Sequence, residues 1–136
     1  MRAENPITER VVLGVAAIVI GIPGIRLVFD TGGYADGKDN LTASPDLFSD
    51  LQALGAIFVA AAVALLAGAL VPRLRGGSLL VGVVAFLPQG IARVLSYLAN
   101  DGQHDSYLRA GVVETILGIA LAVFALMRVN QESRRA

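Results

Sequence analysis

Cysteine and tryptophan are absent from this 136-residue sequence, and histidine occurs only once. Without cysteine the chain has no disulfide bond, no thiolate zinc site and no cysteine nucleophile. Charged residues make up 16% of the sequence, whereas soluble domains contain about 25%. Because 11 basic residues balance 11 acidic ones, the formal net charge is zero and no basic field favours nucleic acid. The composition therefore excludes a disulfide-stapled domain and argues against a nucleic-acid partner.

Long apolar runs are what the sequence has in abundance. Hydrophobic residues make up 55% of the chain, and four mostly apolar segments cover approximately residues 7–29, 51–71, 78–99 and 110–127. A helix of about 20 apolar residues crosses the hydrocarbon core of a bilayer. Runs of this length are too long for membrane strands. We therefore predict an all-α integral membrane four-helix bundle, with residues 1–136 as a single domain.

The first apolar segment has a second interpretation, as a cleavable signal peptide. Charges of both signs precede it, no A-x-A-like cleavage site follows it, and Pro23, Gly24 and Arg26 interrupt its end. We therefore expect a retained first span.

Basic residues are distributed unequally between the two sides of these spans. The two loops opposite the termini contain only Lys38 and Arg109. Cytoplasmic segments of membrane proteins are enriched in lysine and arginine. The bias predicts that both termini are cytoplasmic. The arginines on the side of the termini are Arg2, Arg10, Arg73, Arg75, Arg128, Arg134 and Arg135.

The sequence contains a weak internal similarity. Pro-Gly-Ile-Arg-Leu at residues 23–27 resembles Pro-Gln-Gly-Ile-Ala-Arg-Val at residues 88–94, which aligns Arg26 with Arg93. Leu-Gly at residues 54–55 likewise aligns with Leu-Gly at residues 117–118. Near-constant spacing favours two repeated helical hairpins in parallel orientation. Chance similarity between residues common in membrane helices is the alternative.

Three charged residues, Arg26, Arg93 and Glu114, lie within or at the edge of the apolar segments. A charge at the centre of a membrane helix costs about 2.5–3.5 kcal/mol on insertion scales, so each needs a partner or a short path to water. At about 1.5 Å per residue all three lie in the outer half of the membrane. We predict that Arg93 pairs with Glu114, and that Arg26 pairs with Asp30 at i,i+4.

Further polar residues share the depth of these charges. They form a stripe on the third span and begin the second, so a bundle that points them inward has a polar pocket open to the outside. The cluster has two interpretations, a structural network that fixes helix register and a binding site. The structural network is the simpler of the two. The predicted cluster comprises Arg26, Asp30, Gln52, Gln89, Arg93, Ser96, Tyr97 and Glu114.

Sequence motifs for catalysis or cofactor binding are missing. The chain has no glycine-rich phosphate loop, no nucleophile elbow and no zinc-protease helix motif. His104 lies in a polar loop beside Asp101 and Asp105, which supplies too few ligands for a rigid metal site. We therefore predict no catalytic residue, no metal ligand and no cofactor.

The pattern of residues 91–96 (Ile-Ala-Arg-Val-Leu-Ser), Asp101-Gly102 and Glu114 resembles the DUF4345 family. The resemblance covers roughly the whole chain. It implies a small four-span protein of the bacterial cytoplasmic (inner) membrane, and it implies no reaction. A more distant similarity is to small four-helix proteins of the DoxX type.

Three functions remain open at the level of sequence. The first is a non-catalytic accessory or binding protein, which docks on a larger membrane complex or a second copy of itself, or holds a lipid or quinone-like molecule in the bilayer. The second is a membrane enzyme that uses Glu114 as an acid or base on an apolar substrate, with Arg93 stabilising negative charge. The third is a small transporter, for which the parallel repeat is the support.

Overall fold

The structure, a computed structural model, describes residues 6–36, 45–99 and 105–133. Within these ranges the chain is helical and has no strand, which confirms the predicted all-α fold. The helices are α1 (Pro6–Phe29), α2 (Thr31–Asp36), α3 (Pro45–Leu70), α4 (Arg75–Ala99) and α5 (Asp105–Ser133). A single 3₁₀ turn, Pro72–Leu74, joins α3 to α4.

Four of the helices are long and apolar enough to cross a membrane. Only 22–39% of each apolar stretch is buried inside the bundle. Large aliphatic side chains such as Ile18, Ile57, Val84 and Ile116 are more than half exposed. Since apolar surface on this scale is unfavourable in water, the outside of the bundle fits a hydrocarbon solvent.

The long helices pack as two antiparallel hairpins, α1 with α3 and α4 with α5, which meet mainly through α3 and α4. We call the bundle end that carries residues 7–10, 71–78 and 127–133 the terminal end. The opposite end, which carries residues 26–31, 47–54, 93–99 and 108–114, is the distal end. The polar residues predicted to cluster all lie toward the distal end.

Local hydrogen bonds and one proline mark where helices begin and end. The backbone N–H of Gly33 donates to Asp30 Oδ1 at 3.2 Å, so the Asp30 side chain caps the start of α2. The Thr31 hydroxyl donates to the Leu27 carbonyl at 2.6 Å. At the other end Val71 is extended and Pro72 opens the 3₁₀ turn, because proline cannot continue the hydrogen bonding of α3. The turn returns the chain directly into α4.

Three of the helices extend past the predicted spans. Helix α3 begins at Pro45 rather than near residue 51, and α4 begins at Arg75 rather than near residue 78. Helix α5 covers Asp105–Ser133, beyond the predicted 110–127. Helical hydrogen bonding continues into the polar flanks, where hydropathy no longer indicates a span.

In each hairpin a pair of glycines, one from each helix, brings the two helix backbones into close contact. A Cβ atom added to Gly55 would lie 2.9 Å from the Gly24 carbonyl oxygen, and one added to Gly24 would lie 3.2 Å from the Gly55 oxygen. In the second hairpin the corresponding distances for Gly111 and Gly90 are 3.0 and 2.9 Å. Small residues permit this approach in membrane helix pairs, where van der Waals contact drives association. Both contacts lie toward the distal end.

The centre of the bundle is a continuous apolar core. Leu13, Leu65, Leu79 and Leu121 are completely buried, and Phe86 is 2% exposed. These side chains come from all four long helices and fill the space between the hairpins. The core separates the polar groups of the distal end from those of the terminal end.

Candidate functional site

Three of the predicted polar residues meet at the distal end of the second hairpin. Gln89 and Arg93 are one turn apart on α4, and Glu114 faces them from α5. The Gln89 amide donates to Glu114 Oε1 at 3.1 Å, and Arg93 Nε lies 3.0 Å from Glu114 Oε2. The contact between Gly90 and Gly111 brings the helices close enough for this. We call Gln89, Arg93 and Glu114 the distal cluster.

The distal cluster lies at the side of an open cleft of about 270 Å³. Gln89 and Arg93 form the polar part of its lining, and the remainder comes from the first hairpin. The cleft is thus a space between the hairpins, polar on α4 and apolar on α1 and α3. The apolar lining residues are Leu27, Leu51, Leu54 and Phe58.

The bonding of the ion pair is incomplete. The Glu114 side chain is 12% exposed and that of Arg93 is 27% exposed, so the carboxylate faces the helix contact and the guanidinium faces the cleft. Despite the 3.0 Å separation, Glu114 Oε2 accepts no hydrogen bond from a described residue, because the Arg93 Nε–H does not point at it. The pair is therefore a charge contact that leaves hydrogen-bonding capacity on both partners.

The charge balance limits what the cleft can bind. Arg93 and Glu114 together are formally neutral, so the pair attracts an anion more weakly than an unpaired arginine would. A neutral oxygen acceptor can still accept a hydrogen bond from Arg93 or Gln89. A hydrogen bond from a charged donor contributes about 1.5–3 kcal/mol, and the apolar lining suits a hydrocarbon body. The arrangement is suited to binding a neutral amphiphile.

The other residues of the predicted cluster do not join this site. Arg26 and Asp30 pair at 3.9 Å, but both side chains are more than half exposed. Gln52 and Ser96 are exposed, Tyr97 is half-buried, and none of the three lines the cleft. Helix rotation explains the outcome for Arg26, Gln52 and Ser96, since a residue at the right depth still points away from the bundle when its face is the outer one.

A second charged group, at the terminal end, is missing from the sequence prediction. Glu9 of α1 is 2% exposed, and its Oε2 lies 3.4 Å from Arg75 NH1 and 3.8 Å from Arg128 NH1. Arg75 also donates from Nε to the Gly68 carbonyl at 3.4 Å, near the end of α3. We call Glu9, Arg75 and Arg128 the terminal cluster. It connects all four long helices.

The terminal cluster was hidden by the positions of its members in the sequence. Arg75 and Arg128 fall outside the predicted spans 78–99 and 110–127, where arginines are counted as flanking charges. One signal was available on α1. Glu9 is four residues before Leu13 and eleven before Ile20, so it continues the buried face of the helix.

Metal binding finds no support in the part of the chain that is described. No three residues among histidine, cysteine, aspartate and glutamate are grouped within residues 6–36, 45–99 and 105–133. His104 and Asp101 lie outside the described residues.

Comparison with known proteins gives one finding. A family model described as a domain of unknown function (DUF4345) matches residues 8–126, which include the whole distal cluster as well as Glu9 and Arg75. The match confirms the resemblance drawn from residues 91–96, Asp101-Gly102 and Glu114. No curated protein and no solved structure matches the chain.

Proposed function

This chain belongs to the DUF4345 family, and we propose that it is a non-catalytic membrane protein that binds a neutral amphiphile in its distal cleft. The ligand carries an oxygen acceptor for Arg93 or Gln89, such as a lipid ester or a quinone-like carbonyl. The proposal rests on one observation. The second hairpin has an ion pair beside its glycine contact, whereas the first hairpin packs equally closely at its own glycine contact without charged residues.

The two hairpins make the same contacts around their glycines. A Cβ added to Gly55 would lie 3.0 Å from Val28, and one added to Gly111 would lie 3.1 Å from Val94. The residues immediately before these valines, Leu27 and Arg93, also contact the respective glycines through their Cβ atoms. Leu27 in the first hairpin therefore corresponds to Arg93 in the second.

The partner helices correspond in the same way. A Cβ on Gly24 would lie 3.0 Å from the backbone N of Val59, and one on Gly90 would lie 2.5 Å from that of Thr115. One residue earlier in each helix come Phe58 and Glu114. The ion pair of the second hairpin thus occupies the positions of a leucine and a phenylalanine in the first.

This correspondence supports a binding role for the ion pair. The first hairpin closes on its glycines with apolar side chains alone, so the close packing does not require charge. A buried ion pair gains little or nothing over well-packed apolar residues. We therefore attribute the charges of the distal cluster to contact with a ligand in the cleft.

We further propose that the hairpins are repeats of one unit. Leu13 and Leu79, which are 66 residues apart, are both completely buried, as are Leu65 and Leu121, which are 56 apart. The glycine contacts have the same two spacings. This register aligns Leu27 with Arg93, and so differs from the sequence alignment of Arg26 with Arg93.

We propose the bacterial cytoplasmic membrane as the location, with both termini in the cytoplasm. The support is the excess of arginine on the side of the termini over Lys38 and Arg109 on the other. A reporter that is active only in the cytoplasm, fused to the C-terminus, tests this. Activity of a periplasm-only reporter at the same position would reverse the assignment.

The binding proposal is tested by replacing the ion pair with its counterpart in the first hairpin, Arg93→Leu with Glu114→Phe. Wild type and variant are extracted with their surrounding lipid, and the retained small molecules and proteins are identified by mass spectrometry. We expect one neutral amphiphile to be enriched over bulk lipid with the wild type and lost with the variant. Arg26→Ala, which changes an exposed arginine at the same end, is the control and retains it.

Two other outcomes contradict the proposal. A stoichiometric protein that is lost with the double variant would assign the distal cluster to an accessory role. Identical retained molecules in wild type and variant would remove the cluster from function altogether. Should Phe be too large at position 114, Arg93→Leu with Glu114→Leu makes the same comparison.

A further inference from the structure

A second, larger space lies beside the distal cleft and shares the lining residue Phe58 with it. That groove has a volume of about 530 Å³ and lies between the same three helices, α1, α3 and α4, toward the terminal end. Its lining is apolar, from residues such as Ala61, Val81 and Val84. Phe58 lines both the cleft and the groove, and it stands where they meet.

From this adjacency and the shared Phe58 we infer that the groove holds the hydrocarbon tail of the amphiphile whose polar end lies at Arg93 and Gln89, and that Phe58 determines which tails pass. This inference rests on the proposed function, since it extends the same ligand along the bundle. In this arrangement the tail enters the groove from the bilayer between α3 and α4, and Phe58 is a specificity-determining residue.

The dimensions of the groove agree with a tail. Leu80 lines the groove toward the terminal end, and Arg93 lines the cleft. They are thirteen residues apart on α4, so groove and cleft together extend about 20 Å along the helix axis. Half of the hydrocarbon core of a bilayer is about 15 Å, so the path is at least as long as the tails of one leaflet. A tail in it would lie parallel to the helices, with its polar end near the distal surface.

Packing around Phe58 fixes its position. A Cβ added to Gly24 would lie 2.8 Å from the Phe58 Cβ, so the base of the aromatic side chain is held against the backbone of α1. This contact leaves the χ1 and χ2 rotations of the ring undetermined, and the side chain also packs against the apolar core. Rotation of the ring would open or close the connection between cleft and groove.

The absence of tryptophan from the chain provides a direct test. Phe58→Trp introduces a single fluorescent reporter at the junction, and Phe124→Trp introduces a matched one on α5, whose residue does not line either space. Each variant is reconstituted in nanodiscs and titrated with phospholipid brominated on its acyl chains, or with a short-chain quinone. Both probes quench tryptophan on contact, and the two arms separate a lipid from a quinone.

We expect saturable quenching at position 58 by one of the probes, and only gradual, non-saturating quenching at position 124. Adding Arg93→Leu with Glu114→Phe to Phe58→Trp should abolish the saturable part, because the polar end loses its partner. Phe58→Ala should retain amphiphiles with bulkier tails than the wild type does, as seen by mass spectrometry.

The alternatives separate this inference from the proposed function. If the ion pair controls retention but quenching at positions 58 and 124 is alike, the tail lies elsewhere and only the groove is wrong. Saturable quenching at 58 that survives loss of the ion pair would mean an ordinary lipid of the bilayer fills the groove, which overturns the link to Arg93. If nothing is retained and nothing saturates, both proposals fail.

Discussion

The two ends of the bundle use charge in opposite ways. At the terminal end Glu9 meets arginines from the other hairpin, and the Glu9 and Arg75 side chains are 3% and 7% exposed. At the distal end Arg93 and Glu114 belong to one hairpin, and the arginine faces an open cleft. The terminal cluster thus joins the hairpins, whereas the distal cluster lies where they separate.

The proposed repeat makes this difference sharper. Glu9 and Arg75 are 66 residues apart, the spacing that also relates Leu13 to Leu79, so they stand at corresponding places in the two hairpins. Their opposite charges meet between the copies. In this register Arg93 corresponds to Leu27, and it forms no ion pair with a described residue of the first hairpin. The comparison agrees with our proposal that the terminal cluster stabilises the fold and that the distal cluster contacts a ligand.

The largest effect is expected from Arg75→Met, which leaves the buried Glu9 with Arg128, at 3.8 Å, as its remaining ion-pair partner among the described residues. Breaking a buried ion pair by removing one partner costs about 3–5 kcal/mol, and the bond to the Gly68 carbonyl is lost as well. The measurement is thermal unfolding in mild detergent, followed by circular dichroism.

The control for Arg75→Met is Arg73→Met, which changes an exposed arginine in the adjacent 3₁₀ turn. Combining Arg75→Met with Glu9→Leu removes both buried charges and should recover most of the lost stability. If the single variant unfolds like wild type, the terminal cluster does not hold the hairpins together.

The next effect in size concerns the glycine contacts. Toward the distal end these contacts, rather than ion pairs between the hairpins, hold the helices of each hairpin together. Gly90→Ala puts a Cβ 2.5 Å from the Thr115 backbone, and overpacking of this kind costs about 1–3 kcal/mol. Gly24→Ala should cost a similar amount, because the first hairpin closes in the same way. Gly14→Ala, where nothing lies within 4 Å, is the control. Unequal losses at the two contacts would contradict the correspondence of the hairpins.

The sequence predicted the four apolar helices and the family, because these depend on apolar runs and short motifs. It did not predict the terminal cluster. Apolar runs determine roughly where a helix crosses a membrane. They do not determine the direction in which the side chains near the helix ends point. Glu9 and Arg75 are 66 positions apart, and they meet only because the hairpins pack side by side.

The same limit explains the mixed outcome for the predicted polar residues. Gln89 and Arg93 share a helix face with i,i+4 spacing, so their proximity follows from sequence. Gln52 lies at a suitable depth but on an exposed face of α3. Rotation of a helix about its axis is set by contacts with its neighbours, here the glycine pairs. The register that we propose for these pairs aligns Arg93 with Leu27, whereas the sequence alignment placed it with Arg26.

A smaller effect on stability is expected from Arg93→Leu combined with Glu114→Phe. Replacing both charges with the residues of the first hairpin should change the free energy of unfolding by less than about 1.5 kcal/mol, in either direction. Arg93→Leu alone should cost more, because Glu114 is then a nearly buried carboxylate without its cation. The double-mutant cycle, measured by thermal unfolding, gives the coupling between the two. A double variant that does not fold would return the distal cluster to a structural role.

The smallest effect is expected from Arg26→Ala. This variant tests whether the contribution of an ion pair to stability depends on its burial rather than on its charge. Arg26 and Asp30 form an ion pair at the distal end, but at 3.9 Å and with side chains 56% and 61% exposed. Exposed pairs of this kind contribute about 0–1 kcal/mol, since solvent screens them. Thermal unfolding should therefore match the wild type, and the retained amphiphile should be unchanged. Loss of stability comparable to that of Arg75→Met would mean that position along the bundle, and not burial, decides what an ion pair contributes here.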